Sequence, residues 1–179
     1  MTDAIYTLRC ASCGRGYAAG EAPDYVCAAC AQQQTPGAPL RGLLEVVYDY
    51  AAWRAQHRAG DALSQPLLPC TPDELARIPL RIGATPLYRA PRLAARAQVA
   101  AVWLKDDTGE PTGSYKDRAT QLVVAMALRR GAAHLTCAST GNAACSLAGV
   151  CAAAGLHAHI FVSARAPRAK LAQIAAYGA

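Results

Sequence analysis

Between residues 81 and 179, short apolar runs alternate with longer segments that have the spacing of helices. Glycine or proline separates most of these segments, which is typical of elements joined by short turns. The predicted strands are 99–105, 134–138 and 157–162, and the predicted helices are 117–130, 142–154 and 167–177. Because strands that alternate with helices favour parallel pairing, the pattern predicts an α/β fold with an open, doubly wound parallel sheet. Ligands of such sheets bind beyond the carboxyl ends of the strands.

The first 80 residues show no such alternation. Residues 1–34 are rich in turns and punctuated by cysteines, and they predict a small separate ribbon. Residues 35–80 contain repeated prolines and predict a connector, with one short helix at 49–59 that Gly60 ends. The chain is therefore predicted to carry a ribbon, a connector and a larger α/β domain at 81–179.

Composition and charge narrow the class of protein. The chain has 179 residues, of which 53% are hydrophobic and 17% are charged, so it is expected to bury a core rather than to be disordered. The net charge of +6 is uneven, because residues 118–179 contain six basic side chains and no acidic ones. This excess fits an anion site, or acidic surfaces elsewhere in the protein. Since no apolar run reaches the roughly 18 residues of a membrane span and the N-terminus lacks a leader pattern, a cytoplasmic protein without a membrane partner is expected.

Four cysteines of the predicted ribbon form two C-x2-C pairs. Thirteen residues separate the pair Cys10 and Cys13 from the pair Cys27 and Cys30. Two such pairs supply four thiolates for a tetrahedral structural Zn²⁺, whose closed coordination shell leaves no open position for catalysis. A redox-active pair and an iron site are the alternatives. The other four cysteines have no ligand spacing and are expected to be core thiols.

A lysine lies at a predicted junction between a loop and a helix. The segment 111–118 reads Pro-Thr-Gly-Ser-Tyr-Lys-Asp-Arg, and Gly113 and Ser114 form the turn before Lys116. Because the turn follows a predicted strand, the amine of Lys116 is expected at the ligand-binding edge of the sheet. A positive helix end favours the neutral amine that Schiff-base chemistry requires. An ordinary solvated lysine is the alternative for such a position.

A second strand-to-helix junction carries hydroxyl, glycine and amide groups. The segment 138–144 reads Ala-Ser-Thr-Gly-Asn-Ala-Ala. The hydroxyls of Ser139 and Thr140, the backbone at Gly141 and the free N–H groups of a helix N-terminus together predict an anion site, suited to a substrate carboxylate. Asn142 adds an amide within reach of a cofactor. A simple helix cap is the alternative.

The two junctions occur in this order, with Asn142 placed 26 residues after Lys116. In this they resemble the tryptophan-synthase-β-like (fold type II) pyridoxal-phosphate enzymes, and most closely the threonine synthases. The common motif of that family has Phe where this chain has Tyr115, a change that leaves the lysine in place. The segments 81–87 and 170–178 are similar to the family as well, and some threonine synthases carry a comparable N-terminal zinc ribbon.

The resemblance implies pyridoxal 5'-phosphate as the cofactor, with Lys116 as the catalytic residue that binds it. It implies that Asn142 faces the 3-oxygen of the cofactor. The substrate-binding residues that it implies are Ser139, Thr140, Gly141, Asn142 and Ala143. The implied reaction is that of a threonine synthase-like carbon–oxygen lyase, which converts O-phospho-L-homoserine and water to L-threonine and phosphate.

Members of that family continue well beyond the segments that this chain matches. The loop that binds the cofactor phosphate and the residue that meets the pyridine nitrogen have no counterpart here. The chain is therefore expected to be a truncated form, with the C-terminal half of the catalytic domain absent and little activity of its own. A cysteate synthase, a threonine dehydratase-like enzyme, a non-catalytic remnant and half of a split enzyme are the alternatives.

The expected partners are a small amino-acid phosphate as substrate and either a second copy of the chain or a complementing C-terminal chain. A zinc-ribbon protein that binds nucleic acid is the alternative from another functional class. The ribbon, however, has only Arg9 and Arg15 as basic residues, and the basic last third of the chain is poor in aromatic side chains. A nucleic-acid partner is therefore not expected.

Overall fold

The computed structural model describes residues 5–21, 25–56 and 68–179, and the chain divides into two compact units, Met1–Pro69 and Cys70–Ala179. No helix within these described ranges is long and apolar enough to cross a membrane. In chain order the elements are β1 (Tyr6–Cys10), β2 (Gly16–Ala18), α1 (Ala28–Ala31), β3 (Leu44–Tyr48), α2 (Tyr50–Gln56), α3 (Pro72–Ala76), β4 (Leu87–Arg89), α4 (Pro91–Ala97), β5 (Trp103–Lys105), a 3-10 turn (Asp107–Gly109), α5 (Lys116–Arg129), β6 (His134–Ala138), α6 (Asn142–Ala153), β7 (His157–Phe161) and α7 (Arg168–Ala176).

The first unit is built on a three-stranded antiparallel sheet with the strand order β2-β1-β3. The central strand β1 pairs with β3 along its whole length, from Tyr6 opposite Tyr48 to Cys10 opposite Leu44. Because β3 lies within the segment 35–80, part of the predicted connector belongs to the same sheet as the predicted ribbon. The predicted boundary at residue 34 stays a prediction.

The short helix α2 lies within the helix predicted at 49–59, of which residues 57–59 fall outside the described part. It begins directly after Asp49, whose carboxylate accepts the N–H groups of Ala51 and Ala52 at 3.0 and 2.9 Å. These bonds satisfy two N–H groups that the first turn of a helix leaves without a partner.

The second unit contains two small sheets. β6 and β7 pair in parallel, from His134 opposite His157 to Ala138 opposite Phe161, with α6 as the crossover between them. β4 and β5 pair antiparallel. The predicted α/β class is confirmed, and among the described strands the predicted parallel pairing is found between β6 and β7.

The predicted elements from α5 to α7 agree with the observed ones to within one residue at each end. Of the strand predicted at 99–105, only the part that forms β5 is observed as a strand. Upstream of it, Gln98 ends α4 with a left-handed φ of 54°, and the N–H of Val99 donates to the carbonyl of Ala94 at 3.1 Å. The apolar residue that suggested the start of a strand therefore belongs to the C-terminal cap of a helix.

The core of the second unit lies between α5, α6 and the parallel strands. Val124 of α5 and Val150 and Cys151 of α6 are fully buried in it. The hydroxyls of Ser146 and Thr120 join the two helices within this core, with the Ser146 Oγ donating to the Thr120 Oγ1 at 2.7 Å. This polar pair is therefore satisfied although it is removed from water.

Gly149 lies on the buried surface of α6, where two side chains approach its backbone. A Cβ atom at this position would lie 2.7 Å from the Cγ2 of Thr112 and 3.3 Å from the Cε2 of Tyr177. Carbon atoms do not approach so closely in a relaxed core. The absence of a side chain at Gly149 thus allows the loop that contains Thr112 to lie directly against α6.

We predict that Gly149→Ala lowers the free energy of unfolding by about 1–3 kcal/mol, because the added methyl group overpacks this contact. Urea denaturation followed by circular dichroism would measure the change. Gly109→Ala is the matched control, since nothing lies within 4 Å of a Cβ atom at that position. The double variant Gly149→Ala/Thr112→Ser removes the clashing Cγ2 and should recover most of the loss. Equal stability of the Gly149→Ala variant and the wild type would refute this account of the contact.

Candidate functional site

Lys116 is the first residue of α5 and follows a loop whose path depends on Gly113. The φ of Gly113 is 78°, in the left-handed region that favours glycine. Lys116 is half-buried, and its Nζ lies 4.6 Å from the ring centroid of Tyr115. Within the described ranges, no carboxylate forms an ion pair with this amine. The Lys116 amine is therefore available to a ligand.

Asp117 fastens the loop to the first turn of α5. Its carboxylate is fully buried, with Oδ2 accepting the N–H of Thr112 at 2.7 Å and Oδ1 accepting the Thr112 hydroxyl at 2.5 Å. The positive end of the helix also stabilises a carboxylate at this position. Because both bonds reach back five residues, they close the loop and set the direction from which the chain enters α5 at Lys116.

Arg118 attaches a second segment to the start of α5. Its guanidinium donates to the two carboxylate oxygens of Asp107 at 2.7 and 3.0 Å, and to the Thr85 hydroxyl at 3.0 Å. The hydrogen bonds from Arg118 and Thr85 lower the pKa of Asp107 to about 2. Glu110 is buried 3.3 Å from the Arg118 Nε and accepts the N–H of Gly83 at 3.0 Å. The segment 83–85 is thus held against the helix that begins at Lys116.

Ser114 is the buried polar residue that this loop leaves without a partner. It is 7% exposed, and its Oγ has no hydrogen-bond partner within the part of the chain that the structure describes. Buried hydroxyls are nearly always paired in folded proteins. An unsatisfied hydroxyl two residues before the Lys116 amine indicates a place where a polar ligand supplies the missing bond.

The second predicted site lies at the junction between β6 and α6. Ser139, Thr140, Gly141 and Ala143 are half-buried there, whereas Asn142 is exposed. The Ser139 Oγ accepts the N–H of Gly141 at 3.3 Å, and among the described residues no side chain caps the N-terminus of α6. The N–H of Ala144 donates to the carbonyl of Gly141, which leaves the N–H groups of Asn142 and Ala143 to bind an anion.

The helix α7 connects the two junctions. The Nζ of Lys170 donates to the Oδ1 of Asn142 at 2.6 Å and lies 3.3 Å from the Oε1 of Gln173. The Nε2 of Gln173 in turn donates to the carbonyl of Thr112 at 3.1 Å. A continuous chain of hydrogen bonds therefore runs from Asn142 through α7 to the loop closed by Asp117.

The predicted site residues lie at the starts of two helices. Residues 139–143 lie at the start of α6 and Lys116 at the start of α5, and within the described part of the chain no hydrogen bond joins Lys116 to Asn142. The linking residues Thr112, Lys170 and Gln173 were not predicted from the sequence. Two polar residues three apart, in a helix whose other residues after Arg168 are apolar, could have indicated Lys170 and Gln173.

The four sulfurs of the predicted metal site all lie within 4.8 Å of one another. The sulfurs of Cys10 and Cys30 are 3.7 Å apart, and those of Cys13 and Cys27 are 3.8 Å apart. Sulfurs placed about 2.3 Å from a tetrahedral zinc ion are separated by about 3.8 Å, whereas a disulfide would bring them to about 2 Å. The cluster is therefore compatible with a tetrahedral thiolate site.

Hydrogen-bond donors surround two of these sulfurs. The Tyr17 hydroxyl donates to the Cys27 Sγ at 3.0 Å, and this bond lowers the pKa of Cys27 to about 6. The N–H of Cys13 donates to the Cys10 Sγ at 3.4 Å and lowers the pKa of Cys10. Both effects favour the thiolates that bind metal ions.

The pKa of Cys30 is shifted in the opposite direction. Hydrogen bonding with the sulfur of Cys13 raises the pKa of Cys30 to about 12, since neighbouring thiolates disfavour a further negative charge. A cation bound among the sulfurs would reverse this effect. Gly42 closes the site, with a φ of 80° and a Cβ position only 2.5 Å from the Cβ of Cys30, so any side chain there would displace the cysteine.

A family model described as "Pyridoxal-phosphate dependent enzyme" matches residues 78–179. The threonine synthase of Methanosarcina acetivorans is 31% identical over 179 residues, and that of Methanocaldococcus jannaschii is 32% identical over 180 residues. These alignments cover 98% and 96% of this chain but only 42% and 41% of the relatives. The threonine synthase of Mycobacterium leprae is 38% identical over 108 residues, which are 60% of this chain and 30% of that protein. The chain thus spans less than half the length of these relatives.

Two solved structures share the fold. A pyridoxal 5'-phosphate-dependent aspartate racemase superposes with a TM-score of 0.54 and 26% identity, over 64% of this chain and 38% of that chain. The processed form of threonine deaminase isoform 2 from Solanum lycopersicum superposes with a TM-score of 0.50 over 69% of this chain and 36% of that chain, and at 21% identity it supports the fold alone. Together with the matched family model, these similarities confirm the family resemblance inferred from the two junctions: the chain belongs to the pyridoxal-phosphate-dependent enzymes.

Proposed function

We propose that Lys116 binds pyridoxal 5'-phosphate, and that a protein carrying this chain acts as a threonine synthase, converting O-phospho-L-homoserine and water to L-threonine and phosphate. The main support is the Lys116 junction, where an amine without an ion-pair partner begins α5 after a loop closed by the buried Asp117. Threonine synthases among the relatives support the choice of reaction.

The residues at the two junctions fit the cofactor. The Lys116 amine is the group that would hold the cofactor aldehyde, and the loop before it contains the buried hydroxyl of Ser114, which has no partner among the described residues. Asn142 presents an amide at the start of α6, whose first N–H groups lack a side-chain cap. When bound, pyridoxal phosphate supplies an electron sink for reactions at the substrate α-carbon.

The roles of the protein groups follow from their chemistry. Once the substrate amino group takes its place at the cofactor aldehyde, the freed and neutral Nζ of Lys116 would accept the proton of the substrate α-carbon and return a proton in a later step. The hydroxyls of Ser139 and Thr140 and the N–H groups of Asn142 and Ala143 would hold the substrate carboxylate, because the N-terminus of α6 favours a negative charge, whereas the Gly141 N–H already donates to the Ser139 Oγ. The N–H groups of the Asn142 amide donate to the ring oxygen of the cofactor.

We predict that pyridoxal phosphate added to the purified chain forms a Schiff base at Lys116, seen as an absorbance band that Lys116→Ala abolishes. Borohydride reduction followed by peptide mass spectrometry would locate the modified residue. Lys105→Ala is the matched control and should keep the band, since the Lys105 amine donates to the Thr85 carbonyl instead. A band that persists without Lys116, or reduction products on the other lysines alone, would refute the assignment.

Phosphate release from O-phospho-L-homoserine, compared with ammonia release from L-threonine, separates a threonine synthase from a dehydratase. The protein assayed should be the longest natural form that contains this chain. We expect phosphate release with the first substrate, and its loss in Lys116→Ala. Ammonia release from L-threonine without any phosphate release would instead favour the dehydratase.

A second role is proposed for the first unit, as a structural zinc ribbon. Two pairs of these sulfurs have the separation of tetrahedral ligands, and donors from Tyr17 and the backbone favour the thiolate forms. Four thiolates fill the coordination shell, so this ion would stabilise the ribbon and take no part in catalysis.

We predict about one zinc ion per purified chain, measured by plasma mass spectrometry, and a marked loss of zinc in Cys13→Ser. The matched control is Cys137→Ser, which changes a half-buried thiol of β6 outside the cluster and should keep the ion. Chelation of the metal should lower the melting temperature of the wild type, because metal binding contributes to folding. A chain with iron or with two disulfides in this segment would refute the zinc assignment.

A further inference from the structure

The segment 170–178 belongs to the matched family region, yet the function proposed above gives its polar residues no task. We infer that Lys170 is a positioning residue, which holds the Asn142 side chain in the one amide orientation that presents N–H donors to the ligand. The statement that these donors face the cofactor rests on the proposed function. The hydrogen bond from Lys170 to Asn142 does not depend on it.

The contact is short and joins two separate elements. The Nζ of Lys170 on α7 lies 2.6 Å from the Oδ1 of Asn142, which begins α6. Lys170 is half-buried, and it also reaches the Oε1 of Gln173 one turn further along α7. Two acceptors on different helices therefore restrict the lysine to one position.

The chemistry of the ammonium group decides the orientation of the amide. An ammonium group has three donors and no acceptor, so it pairs with the oxygen of an asparagine amide and never with the nitrogen. With its Oδ1 committed to Lys170, Asn142 keeps both N–H groups of Nδ2 for another partner. An anionic ligand oxygen, such as the ring oxygen of pyridoxal phosphate, requires a donor at this position.

The same lysine links Asn142 to the loop of the catalytic lysine. Gln173 accepts from Lys170 and donates to the carbonyl of Thr112, whose N–H and hydroxyl are bound by Asp117. The amide of Asn142 and the loop before Lys116 are therefore anchored on one face of α7. The helix fixes both ligand-facing groups relative to each other.

The chain offers a direct test, because Asn142 is its only asparagine. A sample labelled with ¹⁵N-asparagine gives one backbone signal and one side-chain NH₂ pair in a ¹H–¹⁵N spectrum, without any need for bound cofactor. We expect the side-chain heteronuclear NOE of the wild type to be that of an ordered amide. Lys170→Met should lower it to the value of a freely rotating side chain, and Lys170→Arg, which keeps a donor, should restore most of the order.

Lys105→Met is the matched control, since it removes another lysine that donates to a backbone carbonyl elsewhere, and it should leave the side-chain signal of Asn142 unchanged. Thermal melts verify that each variant is folded. If Lys170→Met does not fold, Lys170→Gln serves instead, because it keeps a polar group on α7 that is too short to reach Asn142. An unchanged NOE in a folded Lys170→Met or Lys170→Gln variant would overturn the inference.

Pyridoxal phosphate then tests the direction of the freed N–H groups. Its addition should shift the side-chain NH₂ pair of the wild type, and Lys170→Met should weaken its binding about tenfold, as expected when one charge-assisted hydrogen bond is lost. Binding that leaves the NH₂ pair unshifted would overturn the assigned direction. No binding to the longest natural form that contains this chain, together with an ordered amide that depends on Lys170, would refute the proposed function while leaving the hold of Lys170 on Asn142 intact.

Discussion

Asp117 has a carboxylate fully removed from solvent, and its two oxygens accept the N–H and the hydroxyl of the same residue, Thr112. A buried carboxylate without such partners would be strongly destabilising, so the loop between the two residues has little freedom to open. Lys116 lies inside this closed segment, which means that the position of its amine is set by the residue that follows it. Gly149 makes the arrangement possible from the other side, because any larger residue there would push Thr112 away from α6.

Around this closed loop, the starts of α5 and α6 are attached to different parts of the chain. Arg118 joins the start of α5 to Asp107 and Thr85, whereas α7 joins Thr112 to Asn142 through Gln173 and Lys170. These side chains have several donors, which bind acceptors from separate segments. Such contacts order a ligand-binding site before the ligand arrives, so that less conformational entropy is lost on binding. The first unit differs, because its buried hydrophobic cluster consists of the cysteines Cys10, Cys27 and Cys30, and the proposed zinc ion would take the place of an apolar core.

The sequence was sufficient to predict the elements from α5 to α7, because each has a clear apolar period and a glycine or proline at its end. It also predicted the four cysteines as one cluster, since two C-x2-C pairs have few other uses. It did not predict the burial of Asp117 or the contact between Lys170 and Asn142. An acid or a lysine in the first turn of a helix is usually solvated, and only tertiary packing reveals that Asp117 is buried and that Lys170 is bonded to another helix. The helix α4 was not predicted, and a strand was predicted from Val99 instead, because Val99 caps α4 through its backbone, which leaves no mark in the hydrophobic pattern.

The two halves of the site differ in how far along the chain their contacts reach. Asp117 closes its loop with a partner five residues away, so the geometry around Lys116 needs only local structure. Asn142 receives its hydrogen bond from a residue 28 positions later, and Gln173 reaches back 61 positions to Thr112. Because closing long loops is entropically more demanding, these contacts form only when α7 docks on α6. The position of Lys116 is therefore set by the start of its own helix. The position of Lys116 relative to the amide of Asn142 depends on α7, the last element of the described chain.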